Sequence, residues 1–131
     1  MEAFFMDVTI GLLDEGEIGE AAEVVNSVFD EFIGPEYSEE GRNTFREYAS
    51  GEAIAERMRG KSGLFIAARE KGGVIGALEV RDGDHIALFF VKSDGHRKGI
   101  GRQLFSYYLE IIEKSYPSVR RISVKSGDAR R

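Results

Sequence analysis

The residues best placed to do chemistry lie in one stretch, Leu88-Phe89-Phe90-Val91-Lys92-Ser93-Asp94-Gly95-His96-Arg97-Lys98-Gly99-Ile100-Gly101-Arg102-Gln103-Leu104. An apolar run leads through a glycine-rich basic turn into a helical pattern. The first turn of a helix carries N–H groups with no intrahelical acceptor at the positive end of the dipole, and glycines let an anion's oxygens approach that backbone. Arg97, Lys98 and Arg102 add countercharge. This is the chemistry of a phosphate or pyrophosphate cradle; a glycine-rich turn with merely solvated basic side chains is the plain alternative. Spacing excludes two common cradles. A P-loop needs Lys-Ser/Thr after its second glycine, but Gly99 is followed by Ile100 and Gly101 by Arg102. A dinucleotide fingerprint needs a glycine three positions beyond Gly101, and that position is Leu104.

Other reactive groups are few. The 131 residues include no cysteine and two histidines, His85 and His96, so a thiolate nucleophile is excluded and no metal site is expected. The formal net charge of −5 argues mildly against nucleic acid as a partner, and the charge is uneven. Residues 1–60 carry 4 basic and 15 acidic side chains (net −11), whereas residues 61–131 carry 14 basic and 8 acidic ones (net +6). An anionic ligand is therefore expected on the second half. Phe4-Phe5 and Phe89-Phe90 lack the interleaved basic residues of a nucleic-acid surface and read as core. No run approaches the ~18 apolar residues that cross a bilayer, and Met1 to Asp7 lack the pattern of a signal peptide, so no membrane association and a cytoplasmic location are expected.

The elements that must position these residues fit one α/β domain over residues 1–131. Phe4 to Ile10 predicts a strand broken by Gly11, and Asp14 with Glu17 has the spacing of a capping box that starts a helix. Ile18, Ala21, Ala22, Val25, Val28, Phe29 and Phe32 recur at helical spacing up to the stop at Gly34-Pro35. Ser38 caps a second helical region carrying Phe45, Tyr48, Ile54, Ala55 and Met58 on one side, split at Ser50-Gly51. The pattern then changes to short apolar runs, Leu64 to Arg69, Val74 to Arg81 and His85 to Val91, separated by turn residues, which predicts an antiparallel meander. A helix follows with Ile100, Leu104, Tyr108, Ile111 and Ile112 inward, ending at Tyr116-Pro117, and Val119 to Lys125 predicts a last strand.

His96-Arg97-Lys98-Gly99-Ile100-Gly101 after Phe90-Val91 resembles the acetyl-CoA signature of the GNAT superfamily of N-acetyltransferases, Gln/Arg-x-x-Gly-x-Gly/Ala. The order of strand, two helices, meander, signature helix and strand over residues 4–125 resembles that family too. The resemblance implies a mixed sheet with an antiparallel meander and helices on both faces. It departs in two places. His96 stands where the family has Gln or Arg, and the chain ends at Arg131, short of the helix and two strands that family members add. The missing helix often carries the tyrosine that protonates the departing thiolate; Tyr107 and Tyr108, expected outward and inward on the signature helix, do not match it.

The resemblance implies acetyl-CoA as cosubstrate and an amine acceptor that attacks the thioester directly. Phe90, Val91, His96, Arg97, Lys98, Gly99, Ile100, Gly101 and Arg102 match its cofactor-binding positions. An ammonium with pKa near ~10.4 must first lose a proton, and the candidate bases are His85 and Glu79. His85 lies six residues before Val91, where some relatives place a base. A two-residue Asp82-Gly83 turn would pair His85 with Val80 and put Glu79 on the opposite face. The alternatives are a non-catalytic acyl-CoA-binding or regulatory module and, further off, a nucleotide-phosphate binder. The last strand would stand near an edge, so either a homodimer covers it or a natural continuation has been lost.

Overall fold

The structure, a computed structural model, describes residues 8–61, 63–82, 84–92, 99–115 and 123–124. Strand β1, Val8–Leu12, runs through Gly11 instead of ending there, because both of its ends are stitched to a neighbouring strand. The Asp14–Glu17 capping box forms as expected and closes a single 3₁₀ turn that feeds helix α1, Ile18–Val28. Ile18, Ala21, Ala22, Val25, Val28 and the following Phe29 are buried. Phe32 is not: the chain widens into one π-helical turn over Phe29–Ile33, which rotates Phe32 off the stripe and leaves it 50% exposed. Gly34 and Pro35 then enter a short 3₁₀ turn.

Ser38 and Ser50 cap α2, Glu39–Tyr48, and α3, Gly51–Gly60, each hydroxyl accepting from the N–H three residues on. Each cap contributes about 1 kcal/mol. The break between the two helices is therefore written into the second serine. Asn26 fastens the joint to α1 by donating to the carbonyls of Ala22 and Ala49 at 2.8 and 2.9 Å.

The meander is β2, Gly63–Glu70, β3, Gly73–Arg81, and β4, His85–Val91. Lys71 and Gly72, at φ 55 and 84°, make the two-residue hairpin that a right-handed twist prefers. Helix α4, Ile100–Ser115, follows, and β5, Ser123–Val124, pairs parallel to the start of β4. The sheet order is β1-β2-β3-β4-β5, with every other pairing antiparallel.

α4 covers one face. Ile100, Leu104, Tyr108 and Ile112 pack on Ile66, Leu78, Val80 and Ile86 in a core closed to solvent, and Tyr107, expected outward, is partly buried against it. α1 and α3 cover the other face with Phe65, Ala67, Val74, Ala77 and Leu88. Two bulges interrupt the alternation, at Ile75 in β3 and at Ala87 in β4, each an extra residue with no partner opposite. Among the described residues no helix is long and apolar enough to cross a membrane.

Candidate active site

A cavity of about 760 Å³ opens between β4 and the α1–α2 region, within the size range of small-molecule sites. Its walls are aromatic. Phe29 stacks on Phe45 at 3.8 Å between ring centres, and Phe45 meets Phe90 edge-on at 5.7 Å, so one continuous ring stack lines the floor. Its polar groups are placed unevenly: Ser38, Glu40 and Thr44 at the start and middle of α2, and Tyr48 and Arg81 together at the far end.

β4 supplies the edge of this cavity. Lys92 donates its N–H to Ile75 at 2.9 Å, and antiparallel alternation then directs Phe90 into the β3 ladder and the backbones of Phe89 and Val91 to the other side. Of the two β4 residues matched to the cofactor signature, Val91 thus turns its backbone outward, whereas Phe90 contributes a ring to the wall. The bulge at Ala87, which also lines the cavity, removes that residue from the regular ladder. The described pairing with β5 covers only His85 and Ile86.

The start of α4 meets the same edge. Gly99 has φ 69°, and an added Cβ there would meet nothing within 4 Å. The first described helical hydrogen bond runs from Gln103 N–H to Gly99 C=O, so the N–H groups of Ile100, Gly101 and Arg102 form the helix's initial turn. A Cβ on Gly101 would lie 3.8 Å from the Phe89 ring and 4.0 Å from Val91, which puts this turn directly against the cavity end of β4. Ile100 is buried as an anchor and Arg102 is exposed. His96, Arg97 and Lys98 lie outside the described residues.

Glu79 is the one charged side chain that is buried among the described residues, at 1% exposure. Arg57 grips it with two N–H groups, Nε to Oε2 at 2.7 Å and Nη2 to Oε1 at 3.1 Å, and the Tyr48 hydroxyl donates to Oε1 at 3.2 Å. The Arg57 guanidinium also lies 3.7 Å over the Tyr48 ring. Burial and the neighbouring carboxylate push the Tyr48 phenol above its ordinary value against the opposing pull of Arg57 and Arg81, so it remains an O–H donor at neutral pH. Arg81 Nη1 in turn reaches the Tyr48 oxygen at 3.5 Å.

The expected register at His85 is corrected here. His85 pairs with Arg81, and Ile86 with Val80, because three residues, not two, connect the strands and Asp82 adopts φ 56°. Directly opposed residues share a face, so His85 lies on the face of Arg81 and Glu79 instead of opposite to Glu79. Neither His85 nor Glu79 is among the residues lining the cavity. Tyr48 and Arg81 are, and sequence reasoning missed both. Tyr48 reads as one apolar position of a helical stripe and Arg81 as the end of a strand, and only the packing of α2 on the sheet brings them together. Among the described residues no cluster of three or more His, Asp or Glu could hold a metal.

Known proteins share this fold. A search of curated proteins finds no significant sequence relative. The chain is similar in structure to the PaiA N-acetyltransferase of Thermoplasma acidophilum in complex with coenzyme A, with TM-score 0.71 and 23% identity over 82% of this chain and 72% of that one. It is also similar to a GCN5-related N-acetyltransferase of Rhodopseudomonas palustris, with TM-score 0.74 and 19% identity over 92% and 74%. At these identities the likeness speaks for the fold. The model of the acetyltransferase (GNAT) domain matches residues 33–131, which includes the cavity edge, the bulge and the helix start just described. This chain belongs to the GNAT acetyltransferase family.

Proposed function

We propose that the chain is an acetyl-CoA-dependent N-acetyltransferase of the cytoplasm, one domain over residues 1–131, acting on an amine without a metal. The observation that carries this reading is the contact between the glycine-rich start of α4 and the cavity end of β4, because one extended ligand can then lie with its phosphates on the helix and its far end along the strand. The coenzyme A bound to the PaiA relative supports the same cosubstrate here. Gly99, Ile100, Gly101 and Arg102, with His96, Arg97 and Lys98 before them, would hold the pyrophosphate, and Phe90 and Val91 the pantetheine arm. When bound, acetyl-CoA supplies an activated thioester. An N–H of the β4 backbone beside the Ala87 bulge would stabilise charge on the carbonyl oxygen.

The acceptor nitrogen must give up its proton before it can form the new C–N bond as the C–S bond breaks. His85 is assigned that role, acting through water from its half-buried position opposite Arg81. Glu79 is assigned a positioning role, since Arg57 and Tyr48 already occupy both of its oxygens. A second reading, a non-catalytic acyl-CoA-binding module, is favoured by one observation: neither candidate base lines the cavity. A homodimer that covers β5, one of the two end strands of the described sheet, completes the proposal.

One set of measurements separates the readings. Calorimetric titration should show acetyl-CoA binding to the wild type and a loss of at least about tenfold in Gly101→Val, whose side chain enters the anion's approach. Release of free CoA thiol over an amine panel should fall by roughly 10²–10⁴ in His85→Ala at neutral pH and recover in part at high pH. Binding without release from any amine would leave the binding module, and unchanged affinity in a folded Gly101→Val would remove the site.

A further inference from the structure

We propose that Arg81 reads a carboxylate on the acceptor, and that the acceptor is an amino acid with a large apolar side chain. The proposal rests on the transferase reading of the cavity and names its substrate class. The cluster at the far end holds two guanidinium groups, Arg57 and Arg81, against one carboxylate, Glu79. Arg57 consumes that carboxylate through a two-point grip, and Tyr48 takes the remaining position on Oε1. Arg81 forms no ion pair among the described residues; its guanidinium donates to the neutral Tyr48 oxygen, at a long 3.5 Å. One positive charge is therefore left facing a cavity whose walls are mostly apolar, where a carboxylate would be bound more strongly than in water.

The position fits an acceptor better than the cosubstrate. β4 runs seven residues from His85, opposite Arg81, to Val91 beside the start of α4, a separation of about 20 Å at ~3.3 Å per residue. A pyrophosphate on α4 cannot also reach Arg81. Glu40, the other charged lining residue, stands eight positions before Tyr48 on α2, about 12 Å away along the helix at 1.5 Å per residue, so it does not neutralise Arg81. A small molecule with its carboxylate on Arg81 and its amine on the adjoining carbon would present that nitrogen to the β4 edge. The Phe45 and Phe90 rings would receive its side chain.

The test is equilibrium binding of two candidate products, N-acetyl-L-phenylalanine and N-acetylphenethylamine, which differ by the carboxylate alone, measured by calorimetry with CoA present. The wild type should bind the carboxylate form at least about tenfold more tightly. Arg81→Met should lose that preference and keep its affinity for the uncharged form, and Arg81→Lys should restore part of it. Equal affinities in the wild type, an unchanged ratio in Arg81→Met, or no binding of either compound would overturn the proposal. If Arg81→Met fails to fold, the wild-type ratio and Arg81→Lys decide. Parallel thiol-release assays with L-phenylalanine, phenethylamine and 1,4-diaminobutane keep the two readings distinct. A carboxylate preference in binding without thiol release would defeat the transferase and leave the Arg81 site standing, whereas preferred turnover of the diamine would defeat the Arg81 site and leave the transferase.

Discussion

The two faces of the sheet are built to different ends. On the α4 face, Ile66, Leu78, Ile100 and Leu104 are at 0% exposure and every buried side chain named there is apolar apart from the Tyr108 phenol. On the other face, α1 and α3 close part of the surface in the same way, but α2 leaves a 760 Å³ cavity, and the one charge that is buried among the described residues lies beside it. Fully burying a Leu or Ile contributes about 1.5–3 kcal/mol, whereas a buried ion pair returns little net stability for its desolvation. Stability is thus concentrated on one side and the cavity lies on the other, where it can be left open because the opposite face holds the sheet.

The largest effect should come from Leu104→Ala, which empties a site at 0% exposure between α4 and Gly76. A loss of 2–5 kcal/mol in denaturant melts is expected. A loss below about 1 kcal/mol would erase the contrast between the faces.

Glu17→Gln probes the β1 end of the sheet, where Arg69 bonds both carboxylate oxygens and the Leu12 carbonyl. The hydrogen bonds from the Arg69 guanidinium hold the Glu17 carboxyl below its ordinary value, against the opposing effect of burial. Its contribution is therefore present above the usual carboxylate range and is lost as pH falls through the lowered value. The variant should be less stable than wild type by about 1–3 kcal/mol at pH 7, and the two should converge only once pH has fallen below the lowered Glu17 value. A gap that persists in acid would show that packing, not charge, ties β1 to β2.

Phe32→Ala should do least to stability and most to selectivity. Phe32 is 50% exposed on the cavity wall, so a change within about 0.5–1 kcal/mol is expected, together with weaker binding of bulky apolar acceptors. A severe loss of stability would mean that this rim is part of the core.

Most of the frame was legible because it is written in local chemistry. Serines at 38 and 50, the Asp14–Glu17 box, the Lys71-Gly72 hairpin and the inward stripe of α4 each announce an element through its own residues. The glycine-rich start of α4 was legible for the same reason, since glycines and a helix start lie within a few residues of each other. The polar cluster at the far end of the cavity was not. Tyr48, Arg57, Glu79 and Arg81 come from two helices and one strand and meet only through tertiary packing. Phe32 was misread because a π-helical turn shifts phase without any sequence mark, and His85 because an extra loop residue moved the register by one.

The bulge at Ala87 shows how such a site can be stored in a chain. Ile86, Ala87 and Leu88 are an unremarkable apolar triplet, and nothing about an alanine makes it reactive. What the position contributes is its existence: one residue too many for the ladder opposite it. Replacing Ala87 by another small residue leaves that count intact, whereas deleting it would bring β4 back into step with β3 and close the edge on which the cavity opens. Part of this site is therefore encoded in the spacing of the strand, where changes of identity are forgiven and a single change of length is not.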